Sequence, residues 1–321
     1  MADSATPKPT PANFPSLDQL AHLPAWAIAL SGGADSTALL IASALRWPDK
    51  THAIHVHHGL QDAADGFAKH CETLCHQMNV PLVVVRVQAA HASGESPEDA
   101  ARQARYQAFS QALQSNWGGT VQHIVLGQHA DDQVETLLLA LSRGSGLPGL
   151  ASMPAVAARQ GVTYHRPWLT VAGATLRQAL KDIEQPWVED PTNLDTRYTR
   201  NKIRSEILPA LEKAFPAFRQ TFARSAAHAA QAQSLLQELA EQDLVQVGKP
   251  PNIQALQRLS EARQTNMLRH WLVLENMQAS AAQMEALLVQ VKSCTTRGHD
   301  IHIKVGRGFV KRDGAVLRCY N

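Results

Sequence analysis

The 321-residue sequence contains only four cysteines, and none of them forms a C-x-x-C pair. So few thiols exclude a disulfide scaffold and disfavour a structural zinc site or a redox dithiol, and they fit a reducing cytoplasmic compartment. No apolar run approaches the roughly 20 residues that a membrane-spanning helix needs, so we expect no membrane association. Aromatic residues make up 5% of the chain, which limits the number of platforms on which a nucleic-acid base can stack.

The chain also lacks a large excess of charge of either sign, because its formal net charge is only +2 with the histidines neutral. A balance this modest excludes a bulk polycation but leaves room for one local basic face. Residues 297–321 show such a local bias, with six Lys or Arg against two Asp. A basic C-terminal end of this kind is consistent with RNA binding.

The N-terminal residues are rich in proline and polar side chains. They lack the basic start and the apolar middle of a signal peptide. We therefore expect residues 1–24 to form a disordered lead-in.

Strand-like and helical patterns alternate through the first two thirds of the chain. The strand-like runs lie at 25–30, 51–58, 81–88 and 121–127, and the helical patterns at 36–46, 62–79, 98–115 and 130–142. This alternation predicts an α/β domain over 25–215 with a doubly wound, mostly parallel sheet. Helical patterns then dominate, with strand-like tails at 300–304 and 315–319. They predict a smaller, mainly helical domain over 216–321.

The strongest local signal is S-G-G-A-D-S at 31–36, between a strand-like run and a helical pattern. Glycines let backbone N–H groups approach an anion, and a helix N-terminus carries about half a positive charge. The carboxylate of Asp35 would repel bare phosphate unless Mg²⁺ bridges the two groups, so the motif predicts a metal–nucleotide complex. The alternative is a glycine turn with a Ser or Asp helix cap. The candidate phosphate-binding residues are Ser31, Gly32, Gly33, Ala34, Asp35 and Ser36.

Arginines and histidines form two further clusters. Arg102 and Arg105 are three residues apart on a helical pattern and share one face. Two guanidiniums suit a carboxylate or a phosphate, and a solvated face that pairs with nearby acids is the alternative. His55, His57 and His58 end the second strand-like run, but no Cys or further His stands at a spacing that favours zinc.

Acidic residues gather after the fourth strand-like run, at the start of a helical pattern. His129 precedes Asp131, Asp132 and Glu135, whose spacing places the three carboxylates near the N-terminal end of one helix. Favourable interaction with the helix dipole is one explanation. The other is a site for Mg²⁺ or for the ammonium groups of a substrate.

A dense polar segment occupies residues 187–204, beyond the last predicted strand. Between Asp190 and Arg204 it holds four basic and two acidic residues. A charged helix start is one interpretation, and contact with the phosphates of a nucleotide or of RNA is the other.

Seven motifs together resemble the tRNA(Ile)-lysidine synthase family of PP-loop ATP pyrophosphatases, in order from about Trp26 to Pro209. His57 stands where that family usually has Asp, and the region past Phe215 resembles its helical substrate domain without the additional C-terminal domain of longer members. The motifs are S-G-G-A-D-S, H-H-G-L (57–60), A-R-Q-A-R-Y (101–106), G-Q-H-A-D-D-Q-V-E-T (127–136), R-G-S-G (143–146), R-P-W-L (166–169) and W-V-E-D-P-T-N…R-N-K-I-R (187–204).

The resemblance implies a ligase that uses ATP and Mg²⁺ to adenylate the wobble cytidine of a tRNA(Ile) with anticodon CAU. Free lysine then displaces AMP, giving lysidine, and pyrophosphate is the other product. We expect a monomer or a homodimer. The implied catalytic residues are Asp35, which also holds the metal, with Asp131, Asp132, Glu135, Arg200 and Arg204; the implied substrate-binding residues are Arg102, Arg105, His129 and the three acids of the cluster.

Two other functions stay open at this point. A different PP-loop tRNA enzyme, a 2-thiolase, commonly uses cysteines that this chain does not arrange as C-x-x-C pairs. A non-catalytic ATP-binding module would have no need of the acid cluster or of the segment 187–204.

Overall fold

The computed structural model describes residues 9–57, 63–87, 97–296 and 298–320. The chain divides between Ala227 and His228 into two compact units. This division falls inside the long helix Phe218–Val247, whereas the domain boundary expected after residue 215 precedes that helix and stays a prediction. None of the described helices is long and apolar enough to cross a membrane.

A six-stranded sheet forms the centre of the first unit, with strand order β3-β2-β1-β4-β6-β5. All neighbouring strands are parallel except β5 and β6, which confirms the predicted mostly parallel sheet. The strands are β1 (Trp26–Ala29), β2 (Thr51–His57), β3 (Leu82–Arg86), β4 (His123–Val125), β5 (Val156–Arg159) and β6 (Val162–His165). Strand β5 is not predicted by the sequence pattern, because it is a mostly exposed edge strand without an apolar face.

Helices connect these strands much as the sequence pattern predicts. Helix α1 is buried along most of its length, because it packs beside the sheet and against α6. The helices of the first unit are α1 (Ala34–Arg46), α2 (Ala63–Gln77), α3 (Pro97–Trp117), α4 (Ala130–Ser142), α5 (Leu147–Leu150), α6 (Gly173–Asp182), α7 (Thr199–Lys202) and α8 (Leu208–Ala214), and α9 (Phe218–Val247) begins there. A π-helical turn, Ile203–Ile207, joins α7 to α8.

The disordered lead-in expected for residues 1–24 is wrong for residues 9–24. Short 3-10 turns, Pro11–Asn13 and Asp18–Leu20, follow one another here. Phe14 and Leu17 are buried in the main hydrophobic core, together with Leu20 and Leu23. These four apolar side chains drive the segment onto the core, and the high proline content of the preceding residues obscures that signal in the sequence.

Among its described residues, the second unit packs the C-terminal part of α9, three further helices and a three-stranded antiparallel sheet around one core. Trp271 is buried at its centre among leucines and methionines. The elements after α9 are α10 (Ile253–Gln257), α11 (Glu261–Leu274), α12 (Ala281–Ser293), β7 (His302–Val305), β8 (Gly308–Asp313) and β9 (Val316–Tyr320). Strand β8 is not predicted, because three charged residues end it and hide its alternation.

The sheet of the first unit fixes where a ligand site forms. Strand β1 lies between β2 and β4, so the strand order runs from β1 to β3 on one side and continues from β4 on the other side. In open α/β sheets such a switch point, at the carboxyl ends of the strands, is where ligands bind. The S-G-G-A-D-S turn follows β1, and His129 follows β4, so both predicted motifs meet at this position.

Candidate active site

The S-G-G-A-D-S segment forms a tight turn between β1 and α1. Gly32 has φ of +89°, a left-handed conformation that favours glycine. The Ser31 backbone N–H donates a hydrogen bond to Ser36 Oγ over 3.1 Å, and the two hydroxyls lie 3.0 Å apart. The turn is therefore held by its own hydroxyl groups directly before the N-terminus of α1, which favours anion binding.

Gly127 brings the end of β4 against this turn. A Cβ at this position would come within 2.9 Å of the Asp35 carbonyl oxygen and 3.2 Å of the Ser36 backbone nitrogen. Both neighbours are backbone atoms, so a larger residue would displace the turn. The close approach places His129 Nε2 3.5 Å from Asp35 Oδ2.

Asp35 retains one unused oxygen in this arrangement. Its Oδ1 atom is buried and has no hydrogen-bond partner, which is a costly state for a carboxylate oxygen. In the part of the chain that the structure describes, no group of three or more His, Cys, Asp or Glu could hold a metal by itself. Mg²⁺ usually takes only one or two carboxylates together with substrate phosphates, so Asp35 fits the metal–nucleotide complex that the motif predicts.

His129 caps α4 and faces three carboxylates. Its Nδ1 accepts a hydrogen bond from the Asp131 backbone N–H over 3.3 Å, while Asp132 Oδ2 accepts one from the His129 backbone N–H over 3.0 Å. Burial acts to lower the pKa of His129, but the hydrogen bond to Asp35 and the charges of all three carboxylates outweigh it and raise that pKa. The two backbone hydrogen bonds of His129 and Asp132 cap the N-terminus of α4. Interaction with the helix end therefore accounts for part of the acid cluster.

Asp131 is bound on both oxygens. Oδ1 accepts a hydrogen bond from Arg219 Nε over 2.6 Å, and Oδ2 accepts one from the Gly173 backbone N–H over 2.8 Å. Burial acts to raise the pKa of Asp131, but these hydrogen bonds and the charge of His129 outweigh it and lower that pKa. Sequence patterns do not single out Arg219, because it lies 88 positions beyond Asp131 and belongs to no recognised motif.

Glu135 and Arg204 form an ion pair in which the Glu135 carboxylate is buried and the Arg204 side chain is partly exposed. Arg204 Nε donates to Glu135 Oε1 over 2.5 Å, and its second nitrogen donates to Glu135 Oε2 over 3.1 Å. Arg204 also donates to Asp132 Oδ1 over 2.9 Å, and Arg200 lies 3.8 Å from Glu135. The Glu135 side chain is fully buried, while Asp132 keeps 13% of its side chain exposed. Burial raises the pKa of Glu135, and Arg204 opposes that rise.

The segment that carries these arginines lies against the glycine turn. The Val188 backbone N–H donates to the Gly32 carbonyl oxygen over 3.0 Å. Further along, the Asn201 side-chain amide donates to the carbonyl oxygens of Thr192 over 2.8 Å and Asp195 over 3.0 Å. These contacts set the start of α7, and through it the positions of Arg200 and Arg204.

The structure thus brings together most of the predicted site residues. Among the described side chains, four carboxylates meet three guanidiniums and one imidazole at this position. The cluster therefore offers both carboxylates and guanidiniums to a ligand. The carboxylates belong to Asp35, Asp131, Asp132 and Glu135, the guanidiniums to Arg200, Arg204 and Arg219, and the imidazole to His129.

Arg102 and Arg105 are not joined to that cluster. Within the described residues, no hydrogen bond or ion pair links Arg102 or Arg105 to the carboxylates of the cluster. Arg102 lies over the Tyr106 ring at 5.9 Å, and Arg159 approaches the same ring at 4.4 Å. The assignment of Arg102 and Arg105 to substrate binding stays a prediction.

The histidines of β2 have structural partners. A carbonyl oxygen can only accept, so His55 Nδ1 donates to Leu30 over 2.8 Å, and burial lowers the His55 pKa. His57 Nε2 lies 3.1 Å from Asp65 Oδ1. The remainder of the H-H-G-L motif, His58 to Leu60, lies outside the described residues.

Comparison with known proteins adds family models that match both units. A PP-loop domain model matches residues 12–211, and a TilS substrate binding domain model matches residues 252–320. The chain is also 59% identical to the tRNA(Ile)-lysidine synthase of Polaromonas naphthalenivorans (strain CJ2), over 92% of this chain and 88% of that protein.

The chain belongs to the tRNA(Ile)-lysidine synthase family. The member from Bordetella pertussis (strain Tohama I) is 38% identical over 91% of this chain and 92% of its own length. The member from Pseudomonas fluorescens (strain Pf0-1) is 45% identical over 77% of this chain, which spans 58% of that longer relative.

A solved structure outside the tRNA(Ile)-lysidine synthase family shares the fold. The U34-tRNA thiolase NcsA from Methanococcus maripaludis superposes with a TM-score of 0.55, at 15% sequence identity, over 66% of this chain and 74% of that one. This likeness supports the PP-loop fold alone.

Proposed function

We propose that this chain ligates lysine to the wobble cytidine of tRNA(Ile) with anticodon CAU, using ATP and releasing AMP and pyrophosphate. The observation that carries the proposal is the contact between the phosphate-binding turn and the acid cluster, where His129 Nε2 lies 3.5 Å from Asp35 Oδ2. A site of this kind activates a group with ATP and presents an amine to it in one place. Membership of the lysidine synthase family supplies the class of RNA.

Two bond exchanges make up the reaction. The 2-oxygen of cytidine forms a bond to the α-phosphorus of ATP while the bond between the α and β phosphates breaks, and pyrophosphate leaves. The ε-nitrogen of lysine then bonds to C2 of the base while the carbon–oxygen bond breaks, and AMP leaves. The proton lost by the attacking amine passes to a carboxylate of the site.

The turn from Ser31 to Ser36 holds the nucleotide phosphates in this proposal. Its backbone N–H groups and two hydroxyls would bind phosphate oxygens, and Asp35, whose buried Oδ1 lacks a protein partner, would hold Mg²⁺. Mg²⁺ neutralises phosphate charge when it is bound there. Arg200 and Arg204, anchored on Glu135, offset the negative charge that develops as pyrophosphate departs.

Asp132 is the carboxylate that we assign to lysine. An attacking amine has to be neutral, although the lysine side chain is cationic at neutral pH, so a carboxylate must bind the cation and accept its proton. Asp131 and Asp132 each have both oxygens hydrogen-bonded, and the Glu135 side chain is fully buried. Asp132 is less enclosed, with 13% of its side chain exposed. Arg102 or Arg105 remains our candidate partner for the carboxylate of the substrate lysine.

The cysteines argue against a sulfur-transfer reaction. Cys71 and Cys75 are buried, and burial raises the pKa of each thiol to about 12. Thiolate is the reactive form of cysteine, so neither thiol is suited to relay sulfur. Cys294 is also buried, and burial raises the pKa of Cys319 to about 12.

Transfer of labelled lysine to tRNA tests the proposal. With ATP and Mg²⁺ present and no sulfur donor, we expect label on tRNA(Ile) with anticodon CAU and none on the elongator tRNA(Met) with the same anticodon. AMP and pyrophosphate should accumulate only when tRNA and lysine are both present. Absence of label on tRNA(Ile) from active, folded protein would refute the ligase assignment, and ATP binding without turnover would indicate the non-catalytic module.

A further inference from the structure

Helix α2 is a second neighbour of the phosphate-binding turn. It follows β2, whereas His129 follows β4, and β2 and β4 flank β1 on opposite sides. A Cβ at Gly32 would lie 3.6 Å from His70 Cδ2 and 3.6 Å from Phe67 Cδ1. It would also lie 3.3 Å from Cys71 Sγ. Three side chains of α2 therefore approach the turn from the side of β1 that lies away from His129.

His70 is the polar residue of these three, and one of its ring nitrogens has no partner. The Nε2 atom is buried, and among the described residues it forms no hydrogen bond. A buried polar atom without a partner costs free energy, so it calls for a functional or structural explanation. Because Nε2 is bonded to Cδ2, the unpartnered nitrogen belongs to the edge of the ring that faces Gly32.

The backbone oxygens at this end of the turn are already engaged. The Leu30 carbonyl oxygen accepts a hydrogen bond from His55 Nδ1 over 2.8 Å. The Gly32 carbonyl oxygen accepts one from the Val188 backbone N–H over 3.0 Å. The local backbone therefore leaves His70 Nε2 for a group that comes from outside the chain.

The protonation state of His70 suits it to donate a hydrogen bond. Burial lowers the pKa of His70 below its ordinary value, so the ring is neutral near pH 7. A neutral imidazole carries one N–H, and with the hydrogen on Nε2 it donates to an oxygen acceptor. The turn beside it has the features of an anion site, since Gly32 is left-handed and the N-terminus of α1 follows. Phosphate oxygens are such acceptors.

We propose that His70 Nε2 donates a hydrogen bond to the β and γ phosphates of bound ATP, the part that leaves as pyrophosphate. On the β4 side of the turn, Asp35 Oδ2 lies 3.5 Å from His129 Nε2, so bond exchange at the α-phosphorus belongs there. His70 lies on the β2 side, which leaves it for the other end of the triphosphate. The proposal rests on the proposed function for ATP as the ligand and for the bond that breaks.

Equilibrium nucleotide binding tests this contact without any turnover. His70→Leu removes the nitrogen, and we expect the Kd for ATP and for inorganic pyrophosphate, measured by calorimetry with Mg²⁺, to rise roughly 10- to 100-fold. The Kd for AMP, which lacks the β and γ phosphates, should stay as in wild type. His76→Leu is the matched control, because His76 is exposed in the last turn of the same helix, and it should leave all three values unchanged.

His70→Gln separates the hydrogen bond from the shape of the ring. The amide nitrogen of Gln is an N–H donor, and Gln and Leu are both good helix formers. His70→Gln should therefore bind ATP more tightly than His70→Leu does. Without ATP, the free energy of unfolding of His70→Leu, measured by urea denaturation, should equal or exceed that of wild type, because the substitution removes a buried nitrogen that lacks a partner.

Equal affinity of wild type and folded His70→Leu for ATP and pyrophosphate would overturn the proposal. So would an equal loss of affinity for ATP and AMP, or a loss of stability in the absence of ATP, because His70 would then support the turn as a whole. The lysine-transfer assay is read separately. Wild-type protein whose ATP affinity depends on His70 but that forms no lysidine would refute the proposed ligation and leave the phosphate contact established.

Discussion

Arg204 donates hydrogen bonds to both oxygens of Glu135, over 2.5 and 3.1 Å, although 69 positions separate the two residues in the sequence. The pair joins the segment after the sheet domain to helix α4, which carries the acid cluster. Since the Glu135 side chain is fully buried, the pair has structural consequences besides its proposed part in catalysis. Removing Arg204 leaves the buried carboxylate of Glu135 with Arg200, at 3.8 Å, as its remaining cationic neighbour, and loss of one partner of a buried charge is destabilising.

Arg204→Met should therefore reduce both stability and activity. We expect the free energy of unfolding to fall by about 3 to 5 kcal/mol, measured by urea denaturation, and lysine transfer to be lost. Lys202→Ala is the matched control, because this exposed lysine lies on the adjacent helix α7, and its effect should stay within about 0.5 kcal/mol. Equal stability of the two variants would show that the ion pair between Arg204 and Glu135 does not stabilise the attachment of the segment 187–204 to helix α4.

Gly127→Ala tests the contact between β4 and the phosphate-binding turn. The new methyl group would meet the Asp35 backbone at 2.9 Å, so the turn must move, and we expect kcat/KM for ATP to fall roughly 100-fold. The control is Gly66→Ala, because nothing lies within 4 Å of a Cβ there and Gly66 lies inside α2. That change should raise the free energy of unfolding by about 0.4 to 1 kcal/mol and leave turnover intact. Full activity in Gly127→Ala would contradict the proposed role of this contact.

Asp35→Ala should abolish lysine transfer while the fold stays intact. The buried Oδ1 of Asp35 has no protein partner, so the substitution removes the proposed metal ligand and loses the Oδ2 contact with His129. Chelation of Mg²⁺ from wild type should reproduce the loss of activity, and Asp49→Ala, at an exposed position in the turn Pro48–Lys50, should not. Wild-type turnover by Asp35→Ala in the presence of Mg²⁺ would remove the metal assignment.

Asp132→Asn should affect lysine more than ATP. The carboxylate is the least enclosed of the three acids on α4, and loss of its charge weakens a hydrogen bond to the substrate ammonium. We expect KM for lysine to rise about 10- to 100-fold, while the Kd for ATP measured by calorimetry changes much less. Unchanged kcat and KM for lysine would exclude Asp132 from the lysine site.

Acid should selectively remove the stabilisation that Asp131 provides. Its pKa is lower in the folded protein than in an unfolded chain, where it is about 3.9. The stabilisation is therefore complete above that unfolded value and is lost as pH falls through the folded value. Unfolding free energies of wild type and Asp131→Asn should differ by a constant amount from pH 5 to 8 and converge below about pH 4. A gap that persists unchanged to pH 3 would refute this assignment of the Arg219 and Gly173 contacts.

Sequence patterns predicted the parts of the site that are local in the chain. The turn at Ser31–Ser36 and the acids of α4 each lie within a few residues, because a strand followed by a helix places its ligand groups at the intervening turn. Strand β5 and the contact of Arg219 with Asp131 carry no such local signal. The buried segment with Phe14 and Leu17 shows the opposite case, since composition indicated disorder where four apolar side chains bind the core.

The sequence by itself determined the alternation of strands and helices in the first unit apart from β5, the turn at Ser31–Ser36 and the family, since these depend on periodicity and on motifs contiguous along the chain. Only the tertiary structure decided how the carboxylates differ. Asp131 and Glu135 are held by arginines 88 and 69 positions away, and Asp35 Oδ1 is left without a partner. The same applies to the C-terminal cations, because strand register, which no local pattern fixes, separates the inward Arg312 from the outward Lys304, Lys311 and Arg318.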